Sequence, residues 1–293
     1  MRSVISIDLG ATNLRVGLLT EKLKIVKVLR ERTTKSDPLK LYDQIKDMLE
    51  RVLEDVPSDI EYPRYVGVSA CGFTENDFII KLPNLFIQSF DLKHHIEKDF
   101  PELEVFIAND ANAAAYTESV FGAASEVKTS FFITVSSGLG GCLVYNHELI
   151  DLPFEIGHMG INYQNKFYEV EQLLSGNGLV RLAKLNKLNI DSSSDLFDLV
   201  ENKDSKALKV YDDWLKYLGT LIGSLQLMFS TDLFVLSGGV MKSSRIFEDD
   251  LRKIAEAYTA PYSVKPVKFV QAKFDQDAGL IGGAGLALRH LDD

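Results

Sequence analysis

Residues 7–19 read Ile-Asp-Leu-Gly-Ala-Thr-Asn-Leu-Arg-Val-Gly-Leu-Leu, and residues 134–145 read Thr-Val-Ser-Ser-Gly-Leu-Gly-Gly-Cys-Leu-Val-Tyr. Both stretches run from β-forming residues through a turn of small residues to β-forming residues again. In the first, Val4, Ile5 and Ile7 lead to a break at Gly10, after which Leu14, Val16 and Leu18 alternate, which predicts a hairpin. The second repeats that layout about 125 residues later, as an internal duplication would. At ~100–200 residues per domain, the 293-residue length also predicts two domains.

Outward from these stretches, the hydrophobic period keeps switching. Leu41, Ile45, Met48, Leu49, Val52 and Leu53 recur at helical spacing behind Pro38, which suits a first turn. Tyr65 to Ser69 and Glu104 to Ala108 read as strands, and the second runs into Asn109, Asp110 and an Ala-rich helix to Glu118. Residues 172–230 read as helical, with Val210, Trp214, Leu215, Leu218, Leu221, Ile222, Leu225 and Met228 on one apolar stripe that makes Trp214 a core residue. Within that span, residues 189–206, with Ser192, Ser193 and Ser194, read as a surface connection. A strand from Leu233 to Leu236 ends at Ser237, Gly238 and Gly239. A helix near 245–258, a strand near 267–271 and a Gly/Ala-rich helix from about 278 to 290 follow. Strands alternating with helices of crossover length predict an α/β fold.

Composition narrows the partners. There are 32 Lys and Arg against 42 Asp and Glu, a net charge of −10, with no basic block to track a nucleic-acid backbone. No run of ~18 apolar residues spans a bilayer, and the start reaches Asp8 too soon for an export signal. Cys71 and Cys142 have no paired spacing and read as reduced, buried thiols, so a cytoplasmic setting is expected.

Four groups have the chemistry of a site. Asp8, Gly10, Thr12 and Asn13 put a carboxylate at a strand end beside turn amides, an arrangement that holds anions and a nearby Mg²⁺; an ordinary glycine hairpin has the same sequence. Ser137, Gly138 and Gly140 offer a second small-residue tip that lacks the P-loop lysine and the dinucleotide fingerprint. Gly238 and Gly239 form a third. Asn109 and Asp110 open a helix, where Asp110 serves either as a plain N-cap or as a carboxylate that accepts a substrate proton. Glu155, Gly157, His158 and Glu171 add a polar cluster.

In order, IDLGATNLRVGLL, ANDANAAAYTE, TVSSGLGGCLVYN, EIGHM, VEQLLSGNGL, LSGGV and GLIGGAGLAL resemble the ROK family of sugar kinases, within the actin-like ATPase superfold. The resemblance implies two ribonuclease-H-like α/β domains, with ATP in a cleft between them. They would be a smaller one over residues 1–108, joined by a helix at about 279–293 that packs back on it, and a larger one over 109–278. It implies that Asp8, Gly10, Thr12 and Asn13 form the first phosphate loop, Ser137, Gly138 and Gly140 the second, and that Gly238 and Gly239 lie against the adenosine. Asp110 matches the catalytic base. Asn109, Glu155, His158, Glu171 and Gly72 match the sugar side. Mg²⁺ would bridge the phosphates near Asp8. A homodimer and a hexose or N-acetylhexosamine acceptor follow from the same likeness. A sugar acid such as 2-keto-3-deoxygluconate is the alternative acceptor, and a sugar-responsive regulator is the alternative class. Only seven residues precede Asp8, which speaks against a DNA-binding helix-turn-helix there.

The sequence departs from the family pattern in three places. A Cys-x-Cys-Gly-x-x-Gly-Cys zinc element usually follows the histidine, whereas Asn162 to Glu169 contains no cysteine, so no zinc site is expected. The glycine-rich stretch ahead of EIGH is shortened to Ile150-Asp151-Leu152-Pro153-Phe154. The usual Pro-Gly is Cys71-Gly72. The last two changes fall on the acceptor side and leave the identity of the sugar open.

Overall fold

The computed structural model describes residues 1–150, 154–263 and 265–291. The chain divides into two compact units, Met1–Thr117 with Gln276–Asp293, and Glu118–Asp275. Their main strands are β1 (Ser3–Leu9), β2 (Asn13–Thr20), β3 (Ile25–Arg32), β4 (Tyr65–Ala70) and β5 (Glu104–Asn109) in the first, and β6 (Thr129–Val135), β7 (Leu139–Tyr145), β8 (Glu148–Leu149), β9 (Leu233–Ser237) and β10 (Phe269–Gln271) in the second. The helices are α1 (Pro38–Leu53), α2 (Leu92–Asp99), α3 (Asp110–Val120), α4 (Glu171–Leu174), α5 (Gly176–Leu185), α6 (Ser193–Glu201), α7 (Ser205–Phe229), α8 (Ser244–Thr259) and α9 (Ala278–Leu288).

The two sheets have one topology. Their strand orders are β3-β2-β1-β4-β5 and β8-β7-β6-β9-β10, with the first three strands of each antiparallel and the last two parallel to the central one. The repeat first visible in two hairpins therefore extends over five strands.

In the first unit, the alternation of β1 sorts its side chains by face. Ile5, Ile7 and Leu9 are buried in one core with Leu41, Ile45, Met48 and Leu49 of α1. Asp37 caps α1 by accepting from the amides of Leu39 and Lys40, with Pro38 in the first turn. Ser6 and Asp8 face the other way, toward α9. A Cβ on Gly67 would meet the backbone of Gly283, one on Gly282 the backbone of Ala113, and one on Gly285 the side chain of Thr117. The terminal glycine cluster thus packs a helix onto a sheet at backbone distance.

In the second unit, Trp214 of α7 is fully buried, and its ring lies 5.7 Å from Phe197 of α6 and 5.0 Å from Phe247 of α8. Its Nε1–H donates to Leu174 O at 3.0 Å. This is the core role expected for it.

Some expectations need correction. Residues 189–206 are not a surface connection: α6 occupies the middle, and Leu196, Phe197 and Val200 bury one face. Ser192 and Asp195 close a reciprocal capping box, so residues that look loop-forming by composition start a helix. The second small-residue tip is shorter than read, because Gly140 and Gly141 already belong to β7. The division between the units falls inside α3, nine residues past the expected 108/109 boundary, with residues 109–117 in the first unit. Asp151, Leu152 and Pro153 of the shortened stretch, and Asp292 and Asp293 at the end of the expected terminal helix, lie outside the described residues. The sequence reading also gave no place to β3, to a three-stranded sheet (Phe73–Glu75, Phe78–Leu82, Ile87–Phe90) or to a hairpin of Gly160–Tyr163 with Lys166–Glu169. Among the described residues no helix is long and apolar enough to cross a membrane.

Candidate functional site

In the first unit, Asp8, Gly10, Ala11, Thr12, Asn13, Arg15 and Arg30 line an open pocket of about 440 Å³. The turn between β1 and β2 is tight, since Gly10 N–H donates to Asn13 O at 3.1 Å and a Cβ there would press on the same oxygen at 2.8 Å. Thr33 fastens the turn from β3 side: its hydroxyl donates to Gly10 O at 2.7 Å and its amide to Thr12 O at 3.1 Å. All four residues of the expected first phosphate loop are thus brought together, beside two guanidinium groups. Arg15 was not among the expected site residues. Its Nε lies 2.7 Å from Asp8 Oδ2 and its Nη1 2.7 Å from Asp277 Oδ1, at the N-terminus of α9.

Two effects oppose each other at Asp8. Burial pushes its carboxyl above the ordinary value and outweighs the Arg15 charge that favours ionisation. One oxygen is engaged by Arg15, while a Cβ on Gly279 would strike the other. Asp8 therefore fits a cation that keeps its water, as Mg²⁺ does, better than direct coordination. Ser69 supports this fit. It pairs in register with Asp8, and its buried hydroxyl has no hydrogen-bond partner.

Asn109 ends β5 and Asp110 begins α3. Asn109 Nδ2 donates to Gly72 O at 2.9 Å, and the amide of Ala111 lies 2.9 Å from Asn109 Oδ1 and 2.8 Å from Asp110 Oδ1. Gly72 has no room for a side chain, because a Cβ would meet Lys81 O. Gly72 therefore serves here through its carbonyl, orienting Asn109. Desolvation by its surroundings pushes the Asp110 carboxyl up, and the Asp8 charge adds to that, while the Ala111 amide opposes it. The residue as a whole is exposed at the start of α3. Cys71, next to Gly72, is pushed up to about 12 by burial, with the Asp110 and Asp8 charges adding, and so stays a thiol.

In the second unit, Ser136 folds the tip between β6 and β7. Its amide donates to Gly138 O at 2.9 Å and its carbonyl accepts from Gly176 N–H at 2.7 Å. Leu139 N–H reaches Glu171 Oε2 at 3.5 Å, and a Cβ on Gly138 would stand 3.0 Å from that oxygen. Gly157 abuts Leu139 O, which seats the Glu155–His158 turn against the same tip. Ser137, Gly138, Glu155, His158 and Glu171 are thereby gathered in one region, whereas Gly140 lies inside the strand.

His158 also has a partner that sequence reading missed. Its Nδ1 lies 3.0 Å from Glu169 Oε2 and its Nε2 3.9 Å from Glu155 Oε2. The Glu169 hydrogen bond holds the imidazole pKa above its usual value, with Glu171, Glu169 and Glu155 charges adding and desolvation opposing. One ligand atom each from His158, Glu169 and Glu171 falls within 4.8 Å of the others. One imidazole and two carboxylates with no thiolate do not fit a structural zinc of the cysteine-rich kind. The hairpin that carries Glu169 is anchored by Tyr163, whose hydroxyl donates to Asp213 at 2.6 Å.

The Ser237-Gly238-Gly239 turn ends β9. Gly238 has φ 99°, and a Cβ there would strike the backbone of Val135, while a Cβ on Gly239 would meet nothing within 4 Å. Only glycine meets both demands at Gly238.

The chain matches the ROK family over residues 4–290. It is 29% identical to a glucokinase of Halalkalibacterium halodurans over 97% of this chain and 94% of that one. It is 24% identical to a xylose repressor of Bacillus spizizenii over 99% of this chain and 78% of the repressor. Among solved structures, a ROK family glucokinase from Streptomyces griseus in complex with glucose and AMPPNP has the same fold, with a TM-score of 0.75 at 23% identity over 98% of this chain and 99% of that one. With an actin-like fold made of two ribonuclease-H-like units and the family's motifs in order along nearly its whole length, this chain belongs to the ROK family.

Proposed function

We propose that this protein is an ATP-dependent sugar kinase that transfers the γ-phosphoryl group of ATP to a hydroxyl of a neutral hexose or N-acetylhexosamine. The observation that carries the reading is Asp110, an exposed carboxylate at the start of α3, held with Asn109 and Gly72 in the unit that also forms the Asp8–Asn13 pocket. In this reading Asp110 accepts the proton of the acceptor hydroxyl as its oxygen bonds to the γ-phosphorus, and the bond to ADP breaks. Gly10, Thr12 and Asn13 present the first anion-binding turn, and Ser137 and Gly138 the second. Gly238 and Gly239 receive the adenosine. Mg²⁺, when bound, neutralises charge on the phosphates, with Asp8 holding its water. Asn109, Glu155, His158 and Glu171 hydrogen-bond the sugar. Three glutamates around His158 disfavour an anionic acceptor, which ranks a sugar acid such as 2-keto-3-deoxygluconate below neutral sugars.

The glucokinase relative and the glucose–AMPPNP complex support this class of reaction. The xylose repressor relative keeps a sugar-responsive regulator as the second reading. The protein is proposed to act in the cytoplasm as a homodimer without structural zinc. Light scattering that shows only monomer at micromolar concentration contradicts the dimer, and metal analysis that finds one zinc per chain contradicts the last point.

Asp110→Asn tests the mechanism. A general base contributes ~10²–10⁴-fold, so turnover at saturating ATP and sugar should fall by at least about 100-fold with both KM values little changed. Turnover within about tenfold of the parent would remove Asp110 from that role.

A further inference from the structure

The turn assigned to the adenosine is held by a residue far away in sequence. β9 ends at Ser237, and the chain reverses at Gly238 in a conformation that leaves two donors, the Ser237 hydroxyl and the Gly238 amide, without partners inside the turn. Both donate to one atom. Ser237 Oγ lies 2.7 Å and Gly238 N 2.8 Å from Oδ1 of Asp275, in the 3-10 turn Asp275–Asp277 after β10. Ser237 is buried, so losing this acceptor leaves a buried hydroxyl unpaired. The two glycines divide the work: Gly238 presses against Val135, which fixes where the turn sits on β6, and Gly239 borders open space from which a ligand can approach.

We infer that Asp275 is a positioning residue for the donor nucleotide, acting through the Ser237-Gly238-Gly239 turn and not by touching the reacting atoms. The inference rests on the reading that this turn receives the adenosine. Hydrogen bonds to an ionised acceptor are about twice as strong as neutral ones, so one carboxylate oxygen can hold both donors in register. Among the described residues the side-chain hydrogen bonds of Asp275 go to this turn alone, so the sugar side gains nothing from it. The signature is therefore selective: nucleotide affinity changes and acceptor affinity does not.

Calorimetric titration of the full chain with Mg·ADP, alongside steady-state kinetics, tests it. Asp275→Ala should weaken ADP binding and raise the KM for ATP by about tenfold, equivalent to one unpaired hydrogen-bonded group, with the KM for the sugar within about twofold of the parent. Asp275→Asn keeps an acceptor oxygen and should restore most of the affinity. Ser237→Ala removes one of the two donors without exposing a charge and should have a smaller effect in the same direction, so the inference stays open to refutation if Asp275→Ala does not fold. ADP binding unchanged in both Asp275→Ala and Ser237→Ala, with a parent that binds ADP, overturns the positioning role and leaves the kinase reading intact. Equal rises in the KM for ATP and for the sugar also overturn it, since they mark general loosening. A parent that binds no ADP overturns the nucleotide reading of the turn, and this inference with it.

Discussion

Helix α9 meets β1 and β4 through glycines at backbone distance, whereas in the second unit α6, α7 and α8 meet at the large side chains of Phe197, Trp214 and Phe247. The sheets beneath them share one strand order, so topology does not dictate how a sheet is covered. In the first unit the helix must come close because its N-terminus stands beside Asp8, with Asp277 bonded to Arg15 and Gly279 against the Asp8 carboxylate. The glycines of α9 are therefore part of how the phosphate pocket is built. The seam between α9 and its sheet should thus be intolerant of added atoms, and the Trp214 cluster of removed ones.

The largest effect should come from removing volume. Trp214→Ala deletes the ring between Phe197 and Phe247 and its bond to Leu174, at a cost of about 3–5 kcal/mol by urea denaturation. A loss below about 1 kcal/mol would mean that the second core repacks easily and that the contrast is false. Adding atoms comes next. Gly67→Ala drives a methyl group into the backbone of Gly283, and about 1–3 kcal/mol should be lost. A neutral Gly67→Ala would show that α9 shifts without penalty. Ser192→Ala tests the helix start of α6, where about 1 kcal/mol is expected from loss of the cap.

The smallest effect is a pH dependence in the second unit. Because His158 is raised above its unfolded value near 6.5, its contribution is fully present below about pH 6.5 and is lost as pH rises through the folded value. The side chain is half exposed, so water screens the pair and only a modest shift of the melting temperature is expected. Melting temperatures measured from pH 5 to 9 should converge for the parent and Glu169→Gln at high pH and differ at low pH. The opposite order would contradict the His158–Glu169 pairing.

What the chain revealed before folding depended on whether the signal was local. The β1–β2 hairpin and the strand-to-helix step at Asn109–Asp110 were legible because alternation and small residues mark them directly. The start of β7 was misplaced because Gly140 and Gly141 look like turn formers, although they sit in the strand where Gly141 leaves room for Phe131 and Ile156. α6 was missed because serines and acids mask a capping box whose fourth position is Asp195. That signal was present and readable. Glu169 and Asp275 carried no local mark, since their partners lie 11 and 37–38 residues away. Such residues become visible only once the chain is folded.

The most direct test of the central claim is a coupled assay of ADP release by the parent protein with Mg·ATP across hexoses, N-acetylhexosamines and keto-deoxy sugar acids. The account predicts sugar-dependent ADP formation with at least one neutral hexose or N-acetylhexosamine, and phosphorylated sugar in equal amount. No sugar-dependent turnover with any of them, from protein that binds both ATP and sugar, would contradict it and favour a sugar-responsive regulator.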